Sequence, residues 1–381
     1  MARARRGGAR GMTRVHDAAI VGAGPVGLLV AALLAQGGAD VVVLERAQAP
    51  SASTRAIGIH PPGLAALDAA GVGDRVRGEA ALVRGGEALR DGRMLGALAF
   101  DEPVRTLPQH RTEALLVQRL RALGPGALRR GESVRGLRSV AGGVELRTDD
   151  GIVRARAVVG ADGTRSAVRA AAGIGWERRD PDTRWVMADA DDTTGRPETA
   201  LLHLKRDGVV ESFPLPGGRR RWVVRVDDSA GPETAAGFAA LVRERVGVDL
   251  EGLEEPSRFA ARQRMARAFA RGRIALVGDA AHEISPIGGQ GMNLGWLDAL
   301  ALAEAFAAAR ARGAEGEEPW AGWAEERRAA ARRAMRRARF NMAMGAPRAG
   351  AALAVRDVAV RALSSAPFRG ALSAAFTMRG L

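Results

Sequence analysis

Residues 18–47 read AAIVGAGPVGLLVAALLAQGGADVVVLERA, and the rest of the chain is best understood outward from them. Ala18 to Gly22 is a short apolar run ending in glycine, as a buried parallel strand would be. Pro25 to Gln36 is apolar at nearly every position, which suits a helix packed against a sheet. A second strand is expected over Asp40 to Leu44. In the turn, Gly22 permits a sharp reversal, Gly24 lets backbone approach a diphosphate, and Gly27 lets helix pack close on strand. The diphosphate would then face free amides at a helix N-terminus. Glu45, at the end of the second strand, can accept the ribose hydroxyls of an adenosine. The segment therefore predicts an adenine-dinucleotide site. It does not say which dinucleotide.

Composition narrows the classes. With 381 residues and 47% hydrophobic content the chain can bury a large core in two or three lobes. There are no cysteines, which excludes disulfides, thiolate metal sites, cysteine nucleophiles and a cysteinyl-linked flavin. The most apolar window, Ala18 to Ala35, is already explained by strand and helix, so no membrane span is expected and a cytoplasmic, soluble protein is. The net charge of +14 points toward anionic partners. However, 57 residues are Lys or Arg and all but Lys205 are arginine, a bias of composition more than of function. The leader MARARRGGARGMTR lacks the apolar core of a signal peptide and reads as a disordered basic tail over 1–14. The cluster ERRAAARRAMRRARF has no interleaved aromatic platform, so it reads as a solvated helix face and no nucleic-acid partner is expected.

Two further segments repeat the strand, turn and helix pattern. ARAVVGADGTRSAVRAAAG (155–173) has a strand ending at Val158 and Val159, a turn over Gly160 to Thr164, and a helix from Ser166. GRIALVGDAAHEISPIGGQGMNLGWLDALALAEAF (272–306) runs from a strand, Ile274 to Val277, through Gly278 and Asp279 into a glycine-rich loop and a helix from Asn293. Between them, Trp176 to Ala270 alternates apolar and polar residues as an antiparallel sheet does. The nucleotide-binding layer is thus expected to be discontinuous, with a β-rich lobe inserted.

The three elements in this order resemble the fingerprints of single-component FAD-dependent aromatic hydroxylases of the para-hydroxybenzoate hydroxylase type, close to the ubiquinone-biosynthesis hydroxylases. That resemblance implies an α/β fold: a Rossmann-like FAD-binding domain with an inserted, mostly antiparallel β-sheet substrate domain and C-terminal helices. The FAD-binding domain would take 15–80, 101–175 and 271–340, the substrate domain 81–100 and 176–270, and a helical segment 341–381. It also implies that Gly22, Gly24, Gly27, Glu45 and Arg46 hold the ADP half of non-covalent FAD, with Arg55 near its phosphates and Arg111 touching the cofactor. Asp162 and Gly163 would serve FAD and NAD(P)H. Gly278 and Asp279 would meet the ribityl chain. The amides of Gly291, Met292 and Asn293 would meet the flavin pyrimidine edge, with Pro286 and Gly289 lining the side where oxygen reacts.

The implied reaction uses NADH or NADPH, bound transiently, and O2 to hydroxylate a small electron-rich aromatic through a flavin C4a-hydroperoxide. A peroxyflavin epoxidase, or a flavin-dependent double-bond reductase of the same fold, is the alternative. A monomer or weak homodimer is expected. The chain has no tyrosine, so a tyrosine relay cannot deprotonate a phenolic substrate. Among histidines His203, in the β-rich lobe, is the candidate base, against the plainer reading of a structural strand histidine. His60, His110 and His282 are weaker candidates. Trp185, Met187, Phe213 and Trp222 are the candidate apolar substrate wall.

Overall fold

A computed structural model describes residues 14–50, 56–178, 180, 182–226, 231–285, 289–312 and 320–380. Strand Val15–Val21 leads into helix Pro25–Gln36 and strand Val41–Glu45. Leu28 through Ala32 are all buried, so this helix has no solvent face and packs as a core element. Residues 1–13 of the basic leader lie outside the described residues, whereas Arg14 is anchored by Asp40 at 2.6 Å.

The first sheet has the spatial order Ala270–Arg271, Ile274–Leu276, Gly151–Gly160, Val15–Val21, Val41–Glu45, Leu128–Arg130. Its four central pairings are parallel. An antiparallel pair, Val134–Val140 and Gly143–Thr148, extends it along the early half of Gly151–Gly160. Two of its neighbouring pairs, Val15–Val21 with Gly151–Gly160 and Gly151–Gly160 with Ile274–Leu276, join strands more than a hundred residues apart in sequence.

That intervening chain builds a second sheet of eight strands, antiparallel except where Thr199–Lys205 runs parallel to Ala81–Arg90. The sheet takes in Gly58–Ile59 and the whole of Arg93–Thr106, so its early part runs beyond the expected boundary at residue 100. Trp176–Arg178 and Arg264–Ala266 belong instead to a small third sheet with His282–Glu283. One face of the second sheet is covered by helix Ala235–Val246, through Phe238 and Val242. The other face is covered by the C-terminal helices. Helix Ala321–Met344 crosses the expected boundary at 340, and Ala351–Leu363 and Arg369–Phe376 follow it. Arg356 fastens this layer by donating to the carbonyls of Leu204 and Lys205.

Among the described residues, no helix is long and apolar enough to cross a membrane.

Candidate functional site

The turn between the first strand and helix is built as its glycines require. Gly22 has φ +105°, and a Cβ there would stand 2.4 Å from the Ala161 carbonyl oxygen. A Cβ on Gly27 would fall 2.1 Å from the oxygen of Gly22 itself. Gly24 is different: it caps the helix in extended conformation, and a Cβ there would meet nothing within 4 Å. The open space lies over the free amides of the first helical turn, where a diphosphate would sit. Glu45 is held by two backbone donors, the amide of Ala23 to Oε2 at 2.7 Å and that of Ala47 to Oε1 at 2.8 Å. Each oxygen keeps a lone pair for a hydroxyl donor.

These elements border a cavity of about 940 Å³. Gly24, Arg46, Asp162, Gly163 and Asp279 line it at one end. The Asp162 carboxylate caps the following helix, with Oδ2 accepting the amides of Ala167 and Val168, while its buried Oδ1 has no partner among the described residues. Asp279 is exposed to the cavity on a single 3-10 turn after Gly278. Burial raises the carboxyl of Glu283 nearby.

A second helix N-terminus points into the same space. Helix Gln290–Ala311 starts three residues earlier than the sequence suggests, because Gly289 adopts φ +65° and caps it. A Cβ on Gly289 would come 3.3 Å from His60 Nε2, so backbone reversal and tight packing coincide there. The amides of Gln290, Gly291 and Met292 precede the first intrahelical bond. That of Asn293 is spent on Gly289 inside the helix, which corrects the expectation that it meets a ligand. The Asn293 side chain instead ties down the segment before helix Pro61–Ala69. Its Nδ2 donates to Gly58 and Gly289, and its Oδ1 accepts from His60 N.

Beneath this loop Asp298 is fully buried and joins three segments. Its Oδ2 lies 2.5 Å from His282 Nε2, its Oδ1 accepts from Arg327 Nε at 2.9 Å, and Gly278 N approaches at 3.3 Å. Burial alone would raise the Asp298 carboxyl, but His282 and Arg327 outweigh it and hold it below its ordinary range. His282 therefore belongs to an internal strut and not to the cavity.

Not every expected residue reaches the site. Arg55 and Pro286 lie outside the described residues. Arg111 is exposed and paired with Glu79 at 3.0 Å; Gln109, two residues earlier on the helix, lines the cavity in its place. The far end of the cavity is walled by the second sheet, and strand parity sorts the remaining candidates. Met187 and Phe213 line it. Trp185 shares their face but packs behind, stacked on Phe259 at 6.5 Å between centroids. Trp222 and His203 are on the opposite face, stacked on each other at 6.3 Å, while Leu202 and Leu204 face the cavity. Burial, with the charges of Lys205 and Arg220, lowers His203 to about 4. His203 is thus a half-buried histidine on the face away from the cavity, and the expectations that it is the base and that Trp222 is substrate wall are overturned by register.

Two side chains on the cavity face were missed. Glu211 shares strand parity with Phe213, and Arg221 with Val223. Phe340, Met344 and Val360 of the C-terminal helices also close the cavity, a role the sequence reading did not assign to that segment.

The residues of the cofactor end fit an adenine dinucleotide: an unfilled cradle at Gly24, two helix N-termini, and acids placed for ribose and polyol hydroxyls. Residues 15–338 match the family described as FAD binding domain. The chain belongs to that family. It is 36% identical over 311 residues to 12-dehydrotetracycline 5-monooxygenase/anhydrotetracycline 6-monooxygenase of Streptomyces rimosus, covering 75% of this chain and 61% of that one. It is 33% identical over 324 residues to a ubiquinone hydroxylase of Rhodospirillum rubrum, covering 79% and 74%. The solved p-nitrophenol 4-monooxygenase of Pseudomonas putida superposes with TM-score 0.86 at 26% identity, over 97% of this chain and 99% of that one. This FAD-binding chain therefore has the mixed α/β architecture of the aromatic hydroxylases. It spans less than two thirds of the length of the tetracycline relative.

Proposed function

We propose that the chain is an FAD-dependent monooxygenase that hydroxylates an electron-rich aromatic ring, with NADH or NADPH as transient reductant. The balance is one ring C–H, one O2, one NAD(P)H and one proton giving C–OH, water and NAD(P)+. The observation that carries the reading is a single cavity with the dinucleotide cradle at one end and an apolar sheet wall at the other. FAD, when bound, supplies electron transfer and oxygen activation. The chain supplies position, electrostatics and exclusion of water. Glu45 is assigned to the adenosine ribose, the amides after Gly24 to the diphosphate, and Asp279 to the ribityl hydroxyls. The amides of Gln290, Gly291 and Met292 are assigned to the flavin edge, where a helix N-terminus stabilises developing negative charge. Met187, Leu202 and Phe213 would hold the substrate ring.

The test is purification of the protein with its flavin, then NADH and NADPH oxidation measured with and without a panel of phenols and quinols. Substrate-stimulated oxidation, matched one to one by oxygen uptake and hydroxylated product, is expected. A flavin-loaded protein that turns over a ring substrate without oxygen uptake would refute the oxygenase reading.

A further inference from the structure

Glu211 occupies an unusual place. It lies in strand Gly208–Leu215, opposite Leu202 on one side and Val223 on the other. Continuing the register gives one row across the sheet: Gly96, Ala88, Leu202, Glu211, Val223, Met187. All six line the cavity, and Glu211 is the only ionisable side chain among them. It is 5% exposed, and its carboxyl has no hydrogen-bond or ion-pair partner among the described residues. Leaving a buried carboxyl without a partner is costly, so the missing partner is expected in the ligand.

Neighbouring charges do not supply one. Arg221, diagonal to Glu211 on the next strand, is held by Asp189 at 2.7 and 2.8 Å. Glu87, on the strand beyond Leu202, is held by Arg196. Arg258 and Arg262, which line the cavity from the other side, pair with Glu233 and Asp182, and Glu283 lies at the cofactor end with Arg264. Asn341, Met344 and Val360, facing the sheet from the C-terminal helices, bring no charge.

We propose that Glu211 recognises an acidic ring hydroxyl, a phenol or enol, on a multi-ring aromatic substrate and takes its proton. The six-strand row is roughly 24 Å wide at the usual strand spacing, longer than a single benzene ring needs. In the step, the substrate O–H bond breaks and its electron pair stays on oxygen. A new O–H bond forms on the Glu211 carboxylate. Negative charge passes from carboxylate to ring oxygen, where conjugation raises the nucleophilicity of the ortho and para carbons. Return of the proton to product oxygen restores the carboxylate, so no other reactant is consumed. Burial raises Glu211 to about 7, which makes it a stronger base than an ordinary carboxylate and keeps it able to ionise near neutral pH. Glu211 thus fills the role that the absent tyrosines and His203, on the face away from the cavity, leave open. The inference rests on the aromatic-substrate reading above.

The test uses the flavin-loaded full chain and two dyes. Alizarin red S is a sulfonated dihydroxyanthraquinone whose colour reports ionisation of its hydroxyls. Anthraquinone sulfonate has the same rings without hydroxyls. The wild type is expected to bind the hydroxylated dye more tightly, as the anion, at pH values where the free dye is less ionised. Glu211→Gln is expected to weaken alizarin red S about 10- to 100-fold, abolish that colour shift, and leave anthraquinone sulfonate and FAD content unchanged. Glu211→Asp, which keeps the acid one methylene further back, should keep the colour shift with weaker binding. The proposal is overturned if the wild type does not discriminate between the dyes, or if Glu211→Gln binds alizarin red S with wild-type affinity and colour. Dye binding through Glu211 in a protein that turns over ring substrates without oxygen uptake would refute the oxygenase reading and leave this one standing.

Discussion

At the scale of single residues, burial and parity separate what acts from what supports. Glu211 also makes a prediction about stability. Its carboxyl titrates at about 7 in the folded protein and at the ordinary glutamate value when unfolded, so the folded state keeps a proton that the unfolded state has released. The associated stability is complete below the ordinary value and is lost as pH rises through 7. Glu211→Gln lacks that loss, so its advantage over wild type should grow by roughly 2.5 kcal/mol between pH 5 and pH 8. Urea unfolding at the two pH values measures it, and a constant difference would mean that Glu211 is not desolvated. Asp279→Ala should release FAD, since a charged acceptor for hydroxyls is worth about 1.5–3 kcal/mol per bond; flavin absorbance after gel filtration reads the loss. The glycine turn and Glu45 were legible in the sequence because local backbone demands leave local signatures, whereas Asp279 was named only through the family resemblance. Glu211 was legible in principle, by applying to Phe213 the alternation that already marked the strand. His203 and Trp222 misled because a strand shows two faces and composition alone does not say which one meets the ligand.

Single elements were easier to find than to connect. Helix Pro25–Gln36 falls where glycine, proline and the apolar run place it. Helix Gln290–Ala311 begins earlier than expected because Gly289, in the left-handed region, caps it before the apolar residues start. What no periodicity announces is Asp298 on that helix, whose partners His282 and Arg327 come from a short strand and from another helix. Asp298→Asn removes the charge between two buried basic groups. It should destabilise the protein by about 3–5 kcal/mol, because Arg327 is left as an uncompensated buried cation. Because the strut holds Gly278, the loss should appear also as weaker FAD retention; thermal melting of both proteins, with and without added FAD, checks the two effects together. An unchanged melting temperature would show that Arg327 has found another partner.

For the whole molecule, the cavity depends on layers far apart in sequence. The C-terminal helices close one face of the cavity through Met344 and Val360, so on the proposed reading they would share in choosing the substrate. Val360→Phe should narrow the slot and weaken alizarin red S at least about tenfold, because overpacking a close-fitting wall is resisted, while FAD content stays the same. Equal binding of the dye by both proteins would remove that segment from the ligand wall. The same scattered assembly has a consequence for how the chain is made. Strand Val15–Val21 is buried against Gly151–Gly160, and that strand against Ile274–Leu276. At ordinary translation speed the ribosome needs on the order of ten seconds to deliver each later strand. Until then the largely apolar helix beside the first strand has only the two-stranded pair Val15–Val21 and Val41–Glu45 to cover it. Nascent chains are therefore most vulnerable to aggregation early in synthesis, and free flavin cannot rescue them, because half of its cradle has yet to be translated.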